Sequence, residues 1–200
     1  MKNVITIIVL LLLYSCTGTD YREISGNSTF VAGGGLLYIS SNHAILHRTT
    51  IYPDVVDYSY NDDYIIAKQV PDKKDYISFL GEDLYSIYGA YANYIKDTAA
   101  YIKQNGIEFK GKIEGDSTIY NIFKERGVTR DNSIQDIQQS ESIAKYLIEH
   151  DPYHQKVFAN DTNYWIIYNP QDTLFGPMTK EEYLIKRKEL RVPDNLQLEE

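Results

Sequence analysis

The chain has 200 residues, of which 43% are hydrophobic and 24% charged, a globular composition too apolar for a disordered chain. A formal net charge of −8 excludes a nucleic-acid backbone as the main partner. The single cysteine excludes an intrachain disulfide and a zinc-ribbon site.

The N-terminus reads as an export signal. Lys2 supplies a positive charge, and Val4 through Leu13 form an apolar run of ten residues interrupted only by Thr6. As a helix that run reaches ~15 Å, about half the hydrocarbon thickness, which suits a secretory h-region and not a membrane span. Leu13-Tyr14-Ser15-Cys16 then resembles a lipobox, with Tyr14 bulkier than the small residue usual there. The resemblance implies diacylglyceryl transfer to the Cys16 thiol, cleavage before it, and acylation of the new amino group with a palmitate-type chain. Two or three acyl chains, at ~0.8 kcal/mol per buried methylene, anchor a protein stably where one does not. Residues 1–15 are thus expected to be a lipoprotein signal peptide, and 16–28 the lipidated cysteine and a polar tether. Residues 29–200 are expected to form one α+β domain. Thr17 after the anchor, in place of Asp, points to the outer membrane of a bacterial cell envelope.

Strand character begins at Thr29. Phe30-Val31 and Leu36-Leu37-Tyr38-Ile39 flank Gly33-Gly34-Gly35, where a bend is expected. His43–Arg48, Val55–Tyr60 and Tyr64–Gln69 follow as short runs separated by turn residues, which predicts an antiparallel meander. After Pro71 the period changes. Leu80, Leu84, Ile87, Tyr91, Ile95, Ala99 and Ile102 recur at steps of three and four, predicting one continuous helical stripe that ends at Asn105-Gly106. A second helix is predicted from Asp116 or Ser117 to Arg126, with Ile119, Ile122 and Phe123 inward and Gly127 closing it. A third opens on Ser133-x-x-Asp136 and places Ile143, Tyr146, Leu147 and His150 on one face until Asp151-Pro152.

Strand character returns at Tyr164–Tyr168, turns at Asn169–Asp172, and pairs back through Thr173–Phe175 until Gly176-Pro177 breaks it. Thr179-x-x-Glu182 is a capping box that opens a last helix through Leu190. The segments from Asn61 to Ile66 and from Asn160 to Ile167 are alike, as adjacent strands of one sheet would be. The expected fold is therefore α+β. An antiparallel sheet is built from the N-terminal meander and the C-terminal strands, with a helical insertion at 72–159 and a C-terminal helix.

DDYIIAKQ taken with YWIIYNPQDTLFGPMTKEEYLIKRKELRVPDNLQL resembles an uncharacterised bacterial lipoprotein family, domain-of-unknown-function family 3997. The resemblance covers the N-terminal β-part and residues 160–198, about half of the chain after the signal. In the family pattern the two strands lie close in sequence, so the long insert departs from it. The resemblance implies localisation and fold and supplies no catalytic residue. Trp165, Gly176-Pro177 and the capped helix also resemble the order found in GYF-like modules, which bind proline-rich peptides in aromatic grooves.

Catalytic chemistry is sparse. His43 and His47 lie in a predicted strand, where four residues span ~13 Å and cannot chelate one ion. His150 and His154, with Asp151 between them, are the best metal-ligand candidates, although Pro152 spoils a one-face helical geometry. Asp54, Asp57, Asp62 and Asp63 match no calcium loop and read as solvated turn carboxylates. No serine elbow, phosphate loop or zinc-protease motif occurs. No catalytic set, metal or cofactor is therefore expected.

The distinctive feature is 19 tyrosines. Tyr85, Tyr88, Tyr91, Tyr94 and Tyr101 cluster on the first inserted helix, too many for one narrow core stripe. Tyrosine suits surfaces that bury a ring and keep its hydroxyl wet. Tyr85, Tyr88, Tyr91 and Tyr94, together with Trp165, are the candidate binding surface, and a protein or glycan is the candidate partner. The expectation is a lipid-anchored envelope protein that binds or assembles. The alternatives are an envelope metal-assisted hydrolase using His150, Asp151 and His154, or an acidic inhibitor or immunity lipoprotein that captures a basic toxin.

Overall fold

A computed structural model of the chain describes residues 21–25, 28–31, 36–39, 50–105, 117–129 and 133–199. Their strands form two antiparallel sheets of four. The first is β1 (Tyr21–Ser25), β2 (Ser28–Val31), β3 (Leu36–Ile39) and β4 (Thr50–Ile51), paired in that order. The second is β5 (Val55–Tyr60), β6 (Tyr64–Gln69), β7 (Asn163–Tyr168) and β8 (Thr173–Met178), also in that order. Between the β6 and β7 segments lie α1 (Lys73–Lys96), α2 (Thr98–Asn105), α3 (Ser117–Glu125), α4 (Ser133–His150) and α5 (Pro152–Val157). Helix α6 (Lys180–Leu190) follows β8.

The α+β class and the helical insertion are as the residue patterns indicate. β6 and β7 lie side by side, with Ile65 opposite Ile167 and Ile66 opposite Ile166, although five described helices, α1 to α5, separate them in sequence. The expected meander divides in two. After Ile51 the chain turns through Tyr52-Pro53, and Asp54 exchanges both backbone hydrogen bonds with Val70 (3.1 and 2.9 Å), so β5 pairs forward with β6. Tyr21–Ser25, expected in the tether, is β1, with Ile24 packed on the core and Glu23 outward. Cys16, Gly33-Gly34-Gly35, His43 and His47 lie outside the described residues.

The second sheet is covered on both faces. Ile65, Ala67, Trp165 and Ile167, on alternate positions, join the main core with Leu80, Leu84 and Ile87 of α1, Phe123 of α3 and Ile143 of α4. Each fully buried leucine, isoleucine or phenylalanine there contributes ~1.5–3 kcal/mol from water exclusion. Ile66 and Ile166 point the other way, into a second core with Met178, Tyr183 of α6, Val192 and Leu196. Gly81 lets α1 approach α4 closely, because a Cβ there would lie 3.2 Å from the Glu141 backbone nitrogen.

Several expected boundaries shift. The long helical stripe breaks at Asp97, whose backbone leaves the helical region and whose Oδ1 accepts from the Ala100 N–H that opens α2 (2.9 Å). Ile95 and Ala99, expected on the apolar stripe, are exposed. In α4 the buried face is Asp136, Ser140, Ile143, Ala144 and Ile148, and Tyr146 and His150 lie outside it. Strand β8 passes through Gly176-Pro177, where a register shift opposite Tyr164–Ile166 absorbs the irregularity. The capping box of α6 forms in full: Thr179 Oγ1 accepts from the Glu182 N–H (3.2 Å) and Glu182 Oε2 from the Thr179 N–H (2.8 Å). Among the described residues no helix is long and apolar enough to cross a membrane.

Candidate functional site

Two arrangements arise from the inserted helices, one buried and polar, the other half-exposed and aromatic. The buried one centres on Gln69, the last residue of β6. Its Nε2 donates to the Tyr52 carbonyl (2.8 Å), and its Oε1 accepts from Trp165 Nε1 (3.1 Å) and Asn163 Nδ2 (3.2 Å). Asn163 Nδ2 also donates to the Val157 carbonyl (2.7 Å), which ties α5 to the start of β7. These groups are buried, so each bond spares a polar group a desolvation cost of ~1–3 kcal/mol.

Beside this hub, the Tyr52 hydroxyl donates to Asp83 Oδ2 (2.7 Å) across the sheet–α1 contact. Burial pushes the Asp83 carboxyl up from 3.8 to about 6; the Tyr52 hydrogen bond opposes that rise and neighbouring Glu82 adds to it. Burial raises the Tyr52 phenol well above its ordinary range, and the Asp83 carboxylate raises it further. The Tyr76 ring lies 4.7 Å from the Tyr52 ring, and its hydroxyl shares a 2.9 Å hydrogen bond with His154 Nδ1. Burial, followed by Tyr153 and Asp151, raises the Tyr76 phenol in the same way. A phenol and an imidazole closed from solvent, with their hydrogen bonds made, hold α1 and α5 together.

The histidine pair therefore separates. His154 is 1% exposed in α5, which Asp151 caps by accepting the Tyr153 N–H (2.8 Å). His150 is exposed at the end of α4, with its Nδ1 bonded to the Tyr146 carbonyl (2.8 Å) and its ring stacked on Tyr146 at 4.2 Å. The expectation that His150 continues an apolar stripe is corrected: α4 ends at His150, which is exposed, and the next helix, opened by Pro152, carries His154 inward. Among the described residues no three histidine, cysteine or acidic side chains come together as metal ligands. Asp62 and Asp63 are exposed turn residues, and the Asp57 carboxylate accepts the Glu199 N–H.

The aromatic arrangement follows α1 into α2. Ring centroids step from Phe123 to Tyr88 (5.0 Å), Tyr120 (5.4 Å), Tyr91 (4.9 Å), Tyr94 (6.0 Å) and Tyr101 (5.9 Å). This ribbon begins in the core, where Tyr88 donates to the Val128 carbonyl (2.7 Å), and emerges on α2. Tyr88 and Tyr94 are buried, while Tyr85, Tyr91 and Tyr101 are half-buried. Where α1 breaks into α2, a cleft of about 580 Å³ opens, bordered by Tyr85 and Tyr101.

Trp165, expected on a binding surface, is 1% exposed in the main core with its indole N–H on Gln69. Burial removes it from any groove, and Gly176 lies directly against its ring. Tyr101 borders the cleft although the candidate set stopped at Tyr94, because the break at Asp97 turns α2 toward α1. Gln69, Asn163, Tyr52 and Asp83 escaped sequence reasoning altogether. Gln69 and Asn163 stand on the inward parity of two strands otherwise filled by apolar residues, which was the available signal.

A family model described as a protein of unknown function (DUF3997) matches residues 131–200. The resemblance drawn from residues 160–198 holds over that span, and the match also takes in α4 and α5. The N-terminal strands, α1 and its cleft lie outside it. No curated protein and no solved structure matches the chain.

Proposed function

We propose that the chain is a lipid-anchored protein of a bacterial cell envelope, held at the outer membrane through Cys16, and that it binds a protein or glycan partner. The anchor rests on the ten-residue apolar run followed by Leu13-Tyr14-Ser15-Cys16. Binding rests on one observation: half-buried Tyr85 and Tyr101 border an open cleft, offering ring surface that is positioned but not consumed by the core. An acidic body is repelled by an anionic leaflet, which favours a domain that projects toward its partner.

Metabolic labelling with palmitate and membrane fractionation of the wild type and Cys16→Ser test the anchor. The wild type should label and sediment with membranes, and the variant should do neither. An unlabelled wild type, or a variant that still sediments, overturns the anchored reading. A photo-reactive phenylalanine at Tyr101 tests the binding face in living cells, where a discrete adduct is expected and its absence counts against binding there.

A further inference from the structure

We infer that the cleft between α1 and α2 is a site for a neutral oligosaccharide; this rests on the binding reading above and names its ligand class. Its volume, about 580 Å³, lies within the ~300–1,000 Å³ typical of small-ligand sites. The i, i+4 spacing of Tyr85, Gly89, Asn93 and Asp97 puts all four on one face of α1 and its terminus. Gly89, Ala90 and Ala100 bring little side-chain volume to the lining, and Tyr85 and Tyr101 are its aromatic members.

The polar lining residues are Ser86, Asn93, Asp97 and Gln104, all exposed. They offer a hydroxyl, a carboxylate and two carboxamides, a set that both donates and accepts at short range. A pyranose presents the complementary pattern, with apolar C–H faces for the tyrosine rings and an equatorial belt of hydroxyls for the polar rim. Charge narrows the class further. None of the cleft-lining residues is cationic, one is acidic, and the whole chain carries −8, so a phosphate or carboxylate ligand would meet repulsion. A peptide partner is less well matched. Tight peptide sites use a deep aliphatic or aromatic anchor pocket, and here the lining has no aliphatic side chain larger than alanine.

The test is calorimetric titration of the full chain in detergent micelles with maltotriose and with triacetylchitotriose. Saturable heat with at least one of them is expected. Tyr101→Ala and Gln104→Ala should each weaken it at least fivefold, while Tyr60→Ala, on β5 in the second sheet, should stay within twofold. Trp165 emission reports whether each variant is folded. No saturable heat with either sugar, or binding that Tyr101→Ala leaves unchanged, overturns the saccharide assignment. In that event a protein adduct from position 101 still leaves the binding reading in place, and the absence of both overturns the two together.

Discussion

Replacing Gly176 by alanine tests the packing of the second sheet on its tryptophan. A Cβ at this position would lie 2.4 Å from Trp165 Cε3, 2.8 Å from Cδ2 and 3.0 Å from the Tyr164 carbonyl oxygen. The ring cannot yield cheaply, because its N–H is held by Gln69 Oε1 at 3.1 Å and its body is enclosed by the core. Gly176 also has φ +139°, where a side chain is strained whatever the space around it. Overpacking costs ~1–3 kcal/mol and the backbone conformation ~1–3 kcal/mol, so Gly176→Ala should destabilise the protein by ~2–6 kcal/mol. Trp165 is the chain's one tryptophan, so urea unfolding followed by its emission reads the stability and the ring's surroundings together. The variant should unfold at markedly lower urea, with native emission already shifted to the red. A loss below ~1 kcal/mol with unmoved emission would refute the reasoning, because the indole would then not lie against the glycine.

The buried groups and the α6 cap yield three further expectations. Because folding raises the Asp83 carboxyl from 3.8 to about 6, the folded state binds that proton more tightly. Its contribution to stability is complete below pH ~4, declines as pH rises through about 6, and amounts to ~3 kcal/mol. Asp83→Asn should flatten that slope in urea midpoints taken across this window, and an unchanged slope counts against the assignment. Gln69→Leu takes the acceptor from Trp165 Nε1 and should cost ~2–3 kcal/mol, measured by the same unfolding; a neutral result would mean the hub is not closed to water. Thr179→Ala removes the acceptor of the α6 capping box and should cost ~1 kcal/mol in thermal or urea denaturation, with the Trp165 emission unaltered.

Legibility along the chain followed how local the signal was. The limits of β5 and β6, the α6 capping box and the side-by-side placement of β6 and β7 were all readable, because alternation, capping residues and two alike segments are written within a few residues of each other. Helix α1 was readable as a helix and misread in extent. Its apolar spacing continues past Asp97, and only the carboxylate's bond to the Ala100 N–H shows that the chain starts a new helix there. The same limit explains Trp165 and His150. An aromatic ring or an imidazole at helical or strand spacing fits a core and a surface equally well, and the choice depends on what the rest of the chain brings to its side.

The sequence by itself determined the α+β class, the insertion of helices between two paired strands, and the tyrosine enrichment of the first inserted helix, since each follows from periodicity and short-range chemistry. Tertiary structure decided that the meander splits into two sheets, that Gln69, Tyr52 and Asp83 close a polar centre, and that Tyr101 meets Tyr85 across a cleft. Those outcomes join residues that stand on different elements. Burial and hydrogen bonding there are properties of the space between elements, and no single segment carries them.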